Sequence, residues 1–324
     1  MKTLSRWIVP IAFALTAVAA PALAQTVLNV NTALTADDPM YAGLERMRTN
    51  VDKRSGGKLT IRIYPGSQLG KDEDVLEQAR AGANVAVLVD GGRLAPFVKE
   101  FGIMGAPYLV DNYAQVIKLT SSPLFKGWVG KLRNAAGLQV LSFDWFQGHR
   151  HLLTNTPVKV PADLKGIRMR TPGAPVWLET VRAMGATPTG MPWSEVYSAL
   201  QTKVIDGAEA QHPAVYGARL YEVVKVITKT EHIFLITGIV TSRTWFDKLP
   251  ADQQAILIEE SDAAGRWASE KTIDSLADYE KKLREKGVSV VEIDKTPFRT
   301  ATAGVYATLG YTDLRVEVNK ALGK

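Results

Sequence analysis

The sequence contains no cysteine and only four histidines among its 324 residues. A chain without cysteine has no disulfide, no thiolate metal ligand and no cysteine nucleophile, so its stability must come from its core. The sequence also has no G-x-S-x-G, no P-loop, no G-x-G-x-x-G opening a helix and no H-E-x-x-H. No serine lies at a recognisable spacing from a histidine, as an activated nucleophile would require. These absences favour a binding protein over an enzyme.

Clusters of charge are also lacking. The 39 basic and 33 acidic residues give a formal charge of +6 and are spread along the chain without a basic block. Nucleic-acid binding needs a concentrated basic patch, so we expect no nucleic-acid partner. A mild positive excess is compatible with a small anionic ligand.

The first 24 residues have the features of a signal peptide. Lys2 and Arg6 precede an apolar run at residues 7–20, and Ala-Leu-Ala at residues 22–24 forms a cleavage site. The alternative is a membrane anchor, but the run is shorter than the roughly 20 residues that span a bilayer. We therefore predict export to the periplasm with cleavage after Ala24, which leaves 300 residues and a formal charge of about +4.

The N-terminal part of the remaining chain has the pattern of an α/β lobe. Strand-like runs at 26–31, 59–64 and 85–89 alternate with helical patterns at 39–54 and 71–81. Asp90 and two glycines follow the third run, at the carboxyl end of a strand. Open α/β sheets bind ligands at such ends, so Asp90 is a candidate cleft residue; a plain Asp-Gly turn is the alternative.

A second α/β pattern spans residues 161–211, with strand-like runs at 167–170 and 204–209 and two helical patterns between them. Arg170 ends the first of these runs, immediately before a Thr-Pro-Gly turn. The planar guanidinium matches a carboxylate in a bidentate geometry. The position of Arg170 therefore predicts a carboxylate-binding site.

The C-terminal part combines a β-rich run at 226–241, interrupted by Gly238, with a helical pattern from about 249 to 286. A helix of this length cannot be buried in one lobe, so we expect it to brace two. A short strand at 288–293 and helices within 297–322 follow.

Several motifs resemble those of the solute-binding proteins of tripartite ATP-independent periplasmic (TRAP) transporters, the DctP-like family. They are GKLT at 57–60, YPGSQLG at 64–70, DLKGIRMR at 163–170, MPWSEVYSALQ at 191–201 and DGAE at 206–209. The resemblance implies a monomer that binds a small carboxylate and delivers it to the small and large membrane subunits of an ion-gradient-driven permease. It implies no catalysis, no cofactor and no metal. The alternatives are a binding protein of an ATP-driven importer or sensor, and an exported α/β enzyme.

The resemblance also implies a two-lobed periplasmic-binding-protein fold of type II, with mostly parallel sheets flanked by helices and a long C-terminal helix bracing both lobes. Lobe I would comprise 25–147 plus about 236–275, and lobe II would comprise 148–235 plus about 276–324. The connections are expected near 146–150 and 231–237, and the cleft is expected to close by a hinge motion.

The resemblance further suggests Arg150 as a second anion contact and Trp193 as an aromatic residue facing the ligand. We expect either Trp193 or the pair Trp145 and Phe146 to cover the apolar part of the ligand, with His149 in the polar lining. His149 and His151 could instead begin a zinc site, but no third ligand is nearby. Ala210 stands where relatives that bind sialic acid or dicarboxylates often carry asparagine, which favours an organic acid with an apolar body. Gln211 follows on the opposite face of the strand. The expected ligand-binding residues are Arg170, Arg150, Trp193, His149, Gln211, Asp90, Ala210 and Phe146, with no catalytic or metal-binding residue.

Overall fold

The computed structural model describes residues 25–324. The predicted signal peptide, residues 1–24, lies outside the described residues. The described chain forms nine β-strands: β1 Thr26–Asn31, β2 Leu59–Tyr64, β3 Val85–Asp90, β4 Leu138–Thr154, β5 Arg168–Thr171, β6 Thr187–Gly190, β7 Gly207–Ala210, β8 Val226–Ser242 and β9 Ser289–Val291.

Thirteen α-helices of the described chain flank these strands, and four short 3₁₀ segments connect them. The helices are α1 Pro39–Arg54, α2 Asp72–Arg80, α3 Gly91–Leu94, α4 Tyr113–Thr120, α5 Pro123–Ala136, α6 Pro175–Ala183, α7 Val196–Gln201, α8 His212–Gly217, α9 Arg243–Phe246, α10 Ala251–Glu285, α11 Thr296–Thr302, α12 Val305–Thr308 and α13 Thr312–Leu322. The 3₁₀ segments are Lys99–Gly105, Pro161–Leu164, Trp193–Glu195 and Leu220–Glu222. No helix within residues 25–324 has the length and apolarity needed to cross a membrane.

Helices α1 and α5 begin at capped residues, and α1 begins where the sequence predicts. Asp38 accepts a hydrogen bond from the Met40 amide at 2.9 Å and caps α1, while Ser122 accepts from the Phe125 amide at 3.2 Å and caps α5. Both helices have proline at the start, where its missing amide proton costs nothing.

The strands follow one path, β2-β1-β3-β8-β4-β7-β5-β6, with β9 beside β8. Strand β1 is parallel to β2 and β3, and β5 is parallel to β6 and β7. The two 17-residue strands β4 and β8 are antiparallel and run through both groups. The structure therefore has two lobes, the first built on β1–β3 and the second on β5–β7 and β9, with β4 and β8 shared.

Each lobe has two apolar cores, one on each side of its part of the sheet. The first lobe buries an aromatic core around Phe101, Phe125 and Trp128, and a second core that includes Leu257 of α10. Leu283, near the other end of α10, is buried in a core of the second lobe. The long helix therefore braces both lobes, as the sequence predicted.

The C-terminal helices divide between the lobes. Phe298 of α11 is buried in a second-lobe core, whereas Val318 and Leu322 of α13 join the aromatic core of the first lobe. The Arg315 side chain donates a hydrogen bond to the Leu109 carbonyl at 2.9 Å. The expected division of the chain placed residues 276–324 in the second lobe; α13 instead packs on the first, because its apolar stripe fits against α4 and α5.

Candidate ligand-binding site

A cavity lies between the two lobes, at the carboxyl ends of β1, β3 and β5. Both lobes and both shared strands contribute to its wall. The lining residues are Thr32, Ala33, Leu34, Asp72, Leu88, Asp90, Arg93, Gln147, Arg150, Arg170, Pro172, Trp177, Trp193, Gln211, Ala214, Leu235 and Thr237.

Arg170 ends β5 at the cavity wall and is only 1 % exposed. Its Nε and Nη2 atoms donate to the Met191 carbonyl at 3.0 and 2.7 Å, and its guanidinium lies 5.3 Å from the Trp193 ring centre. Within residues 25–324, no carboxylate lies within 4 Å of it. Burial, and then the charge of Arg150, lower the pKa of Arg170 to about 9. It is therefore a buried cation held by a carbonyl and a ring, without a counter-charge.

Arg150, on β4, has a protein counter-charge. Its Nη2 donates to Glu209 Oε1 at 2.7 Å, its Nε also pairs with that carboxylate, and its Nη1 donates to Gln211 Oε1 at 3.2 Å. Burial opposes ionisation of Glu209, but Arg150 and His232 outweigh it and hold the pKa of Glu209 at about 2. The Trp177 ring covers Arg150 with its centre at 4.7 Å. Arg150 therefore offers a ligand less charge than Arg170 does.

The first-lobe wall is acidic. Arg93 pairs with Asp90 and, through Nε, with Glu73 at 2.8 Å. Asp90 Oδ1 also accepts from the Trp177 indole at 3.1 Å. Asp72 Oδ1 is buried without a hydrogen-bond partner in the described chain, and burial raises the pKa of Asp72 to about 6. Asp72 thus brings an unused acceptor to the cavity.

Five of the residues predicted from the sequence line the cavity: Arg170, Arg150, Trp193, Gln211 and Asp90. Three predicted residues lie outside it. Phe146 is stacked on Phe234 at 3.9 Å in the first-lobe core, and His149 packs edge-on against the same ring at 4.9 Å. Ala210 points into a second-lobe core because its neighbour on the chain, Gln211, faces the cavity.

The sequence analysis missed Asp72, Arg93, Gln147 and Trp177 at this wall. Asp72 begins a helix with three acidic residues in its first turn, a pattern that helix-dipole complementarity already explains. Trp177 fits the apolar stripe of α6, and Gln147 follows aromatic residues in β4. The connection that runs from the carboxyl end of β2 to Asp72 was the one available signal, because Gln147 lies within β4.

The histidines gather near the middle of β4 and β8. The rings of His151 and His212 are 4.6 Å apart, and His232 Nε2 lies 3.5 Å from Glu209. In residues 25–324, no group of three or more histidine, aspartate or glutamate side chains is placed to hold a metal ion.

Comparison with known proteins gives a consistent result. A family model described as bacterial extracellular solute-binding protein, family 7, matches residues 30–313. The C4-dicarboxylate-binding periplasmic protein DctP of Rhodobacter capsulatus is 31 % identical over 261 residues, which cover 79 % of this chain and 78 % of that protein.

Two solved structures show the same fold. A TRAP periplasmic solute-binding protein from Escherichia fergusonii, in an apo open form, is 45 % identical with a TM-score of 0.80, covering 91 % of this chain and 99 % of that one. A TRAP periplasmic solute-binding protein from Ochrobacterium anthropi with bound L-fuconate is 31 % identical with a TM-score of 0.89, covering 92 % of this chain and 100 % of that one.

Proposed function

Because the chain belongs to the bacterial extracellular solute-binding protein family 7, we propose that it captures a hydroxylated organic acid and delivers it to the membrane subunits of a TRAP transporter. The observation that carries this proposal is the buried guanidinium of Arg170, which faces the cavity without a counter-charge. A ligand carboxylate would supply that charge and form charge-assisted hydrogen bonds worth about 1.5–3 kcal/mol each.

The opposite wall favours hydroxyl groups on the ligand. Asp72 offers a free acceptor, and the amides of Gln147 and Gln211 line the same cavity. A second carboxylate near Asp72 and Asp90 would meet like charge, so a hydroxylated monocarboxylate fits better than a dicarboxylate. The expectation of an apolar ligand body rested partly on Ala210, which lies outside the cavity. The L-fuconate bound by the Ochrobacterium anthropi protein is an acid of the proposed kind.

The arrangement of the lobes supports capture by closure. The TM-score is higher with the L-fuconate complex, at 31 % identity, than with the apo open protein, at 45 % identity. This difference supports a lobe arrangement closer to that of the complex. Hinge motion about the shared strands, with lobe boundaries near 147 and 235, would open the cavity to the periplasm.

The ligand would leave chemically unchanged. The family is one of transport proteins, and the cavity offers a cation, acceptors and aromatic faces for binding. We propose that the chain acts as a monomer, without a cofactor, and that its permease uses an ion gradient. Membership of this family disfavours the ATP-driven importer as partner.

The test is a thermal-shift screen of sugar acids, C4-dicarboxylates and unhydroxylated acids of matched length, followed by calorimetry on the best ligand. We expect a sugar acid to bind tightest. In Asp72→Asn, the ratio between the dissociation constants of the unhydroxylated acid and the sugar acid should decrease. Arg170→Lys should weaken the binding of the sugar acid. Its matched control is Arg168→Lys, because Arg168 lies on the same strand as Arg170 but is exposed and paired with Asp206. A best ligand without an anionic group, or recovery of an altered product, would overturn the proposal.

A further inference from the structure

The first turn of α6 connects the two lobes. This helix follows β5 and belongs to the second lobe by sequence, yet Val176 and Trp177 are buried in the aromatic core of the first lobe. Each of these two side chains is only 1 % exposed. Separation of the lobes at this point would expose both of them to water.

Trp177 occupies a socket in the first lobe that requires glycine. A Cβ atom on Gly92 would overlap the indole Nε1 and lie 2.7 Å from Cδ1. A Cβ atom on Gly105 would lie 3.2 Å from Val176 Cγ1. At the bottom of the socket, the indole donates to Asp90 Oδ1 at 3.1 Å. The contact therefore combines apolar burial with a directed hydrogen bond.

The same indole also faces the ligand cavity. Its ring covers the guanidinium of Arg150 on a shared strand, and Asp90 at its other end pairs with Arg93. Trp177 thus contacts the cation of one wall and the carboxylate of the other. Within residues 25–324, no other indole lies over Arg150 or donates to Asp90.

We infer that Trp177, with Asp90 and Gly92, forms an interlobe latch that keeps a fraction of the protein closed before any ligand binds. This inference rests on the proposed function only in assuming that the lobes open and close. A latch of this kind raises ligand affinity, because the binding-competent state is already populated. Trp177 is then a positioning residue, which acts on the cavity through its contacts with Arg150 and Asp90.

A second interlobe contact is the natural comparison. Lys71 and Glu195 form an ion pair of 3.2 Å across the same cleft, with both side chains 50 % exposed. Exposed pairs contribute little, because water and salt screen them. Glu195→Gln is therefore a control that removes an interlobe contact without touching the latch.

The absence of cysteine makes the measurement direct. Cysteines introduced at the exposed positions Asp52 and Gln201 place one dye on α1 of the first lobe and one on α7 of the second. Single-molecule energy transfer is then recorded without ligand. We expect a closed fraction in the parent protein, and a closed-to-open ratio about fivefold or more lower in Trp177→Phe, which loses the N–H donor.

Gly92→Ala tests the same socket without altering the indole. The φ of Gly92 lies outside the left-handed region, so alanine is compatible with the backbone there. We expect it to lower the closed fraction as Trp177→Phe does, whereas Glu195→Gln changes the ratio by less than about twofold. Equal closed fractions in the parent, Trp177→Phe and Gly92→Ala would overturn the inference, as would a parent protein that is entirely open. Because no ligand is used, the result stands apart from the search for a carboxylate ligand.

Discussion

Arg150 and Glu209 form a bidentate ion pair that is almost completely buried, and the neighbouring Arg170 has no carboxylate partner among the described residues. The exposed fractions of the two side chains are 6 % and 0 %. Arg170, on the neighbouring side of the cavity, donates only to a backbone carbonyl. The two guanidinium groups therefore have different roles: the charge of one is compensated by the protein, and that of the other is available to a ligand.

Glu209→Gln should destabilise the folded protein. The substitution leaves Arg150 buried without a counter-charge, which costs about 3–5 kcal/mol in typical proteins. We expect the free energy of unfolding, measured with urea at pH 7, to fall by an amount of this order. Glu195→Gln, which removes an exposed carboxylate, should change it little. An unfolding curve of Glu209→Gln that coincides with the parent curve would contradict this account.

Arg170→Lys should act on binding more than on folding. Lysine keeps the positive charge but cannot form the paired hydrogen bonds of the guanidinium. We expect the dissociation constant of a carboxylate ligand to rise by more than about tenfold, as read by calorimetry. The ligand-free stability should fall by less than in Glu209→Gln. Unchanged affinity in Arg170→Lys, with Arg168→Lys also unchanged, would remove Arg170 from the site.

The sequence predicted the first lobe well. Strands β1 and β2 have the predicted limits, and the rule that ligands bind at carboxyl ends placed Arg170 and Asp90 at the cavity. The motifs identified the family. Local patterns were sufficient here because each element repeats one period from end to end.

The middle of the chain was harder to predict. The sequence suggested a connection between the lobes near 146–150, whereas β4 continues through these residues to 154 because it pairs with β8 along its length. Phe146 was expected to cover the ligand because a crossover between the lobes was expected there, but within the pairing of β4 with β8 it lies in the core. This pairing depends on the partner strand and leaves no local signal.

Acidification should destabilise the protein through His212. Burial lowers the pKa of His212 from 6.5 to about 4, and Lys229, His149 and Arg284 add to this while Glu280 opposes it. The folded state therefore binds fewer protons than the unfolded state between these values. The stability that His212 contributes is fully present above pH 6.5 and is lost as the pH approaches 4, by about 1.4 kcal/mol per pH unit.

The measurement is urea unfolding of the parent and His212→Gln from pH 7.5 to 4.5. We expect the variant to lose stability less steeply below pH 6. It should retain part of the slope, because burial also lowers the pKa of His151 well below its usual value. The difference between the two proteins at pH 7.5, where these histidines are mainly neutral, serves as the reference. Parallel curves would exclude His212 as a source of the pH dependence.

Gly238→Ala should destabilise the first lobe. The sequence suggested a break in the strand at Gly238, but β8 continues through it and pairs it with Val89. A Cβ atom there would lie 2.7 Å from Phe143 Cγ in the buried aromatic core, where neighbours cannot move away. We expect a loss of about 1–3 kcal/mol in the free energy of unfolding. Gly130→Ala is the matched control: nothing lies within 4 Å of its added methyl group on α5, so it should stabilise the protein by about 0.5–1 kcal/mol. Equal effects of the two substitutions on the free energy of unfolding would show that the packing around Gly238 tolerates a methyl group.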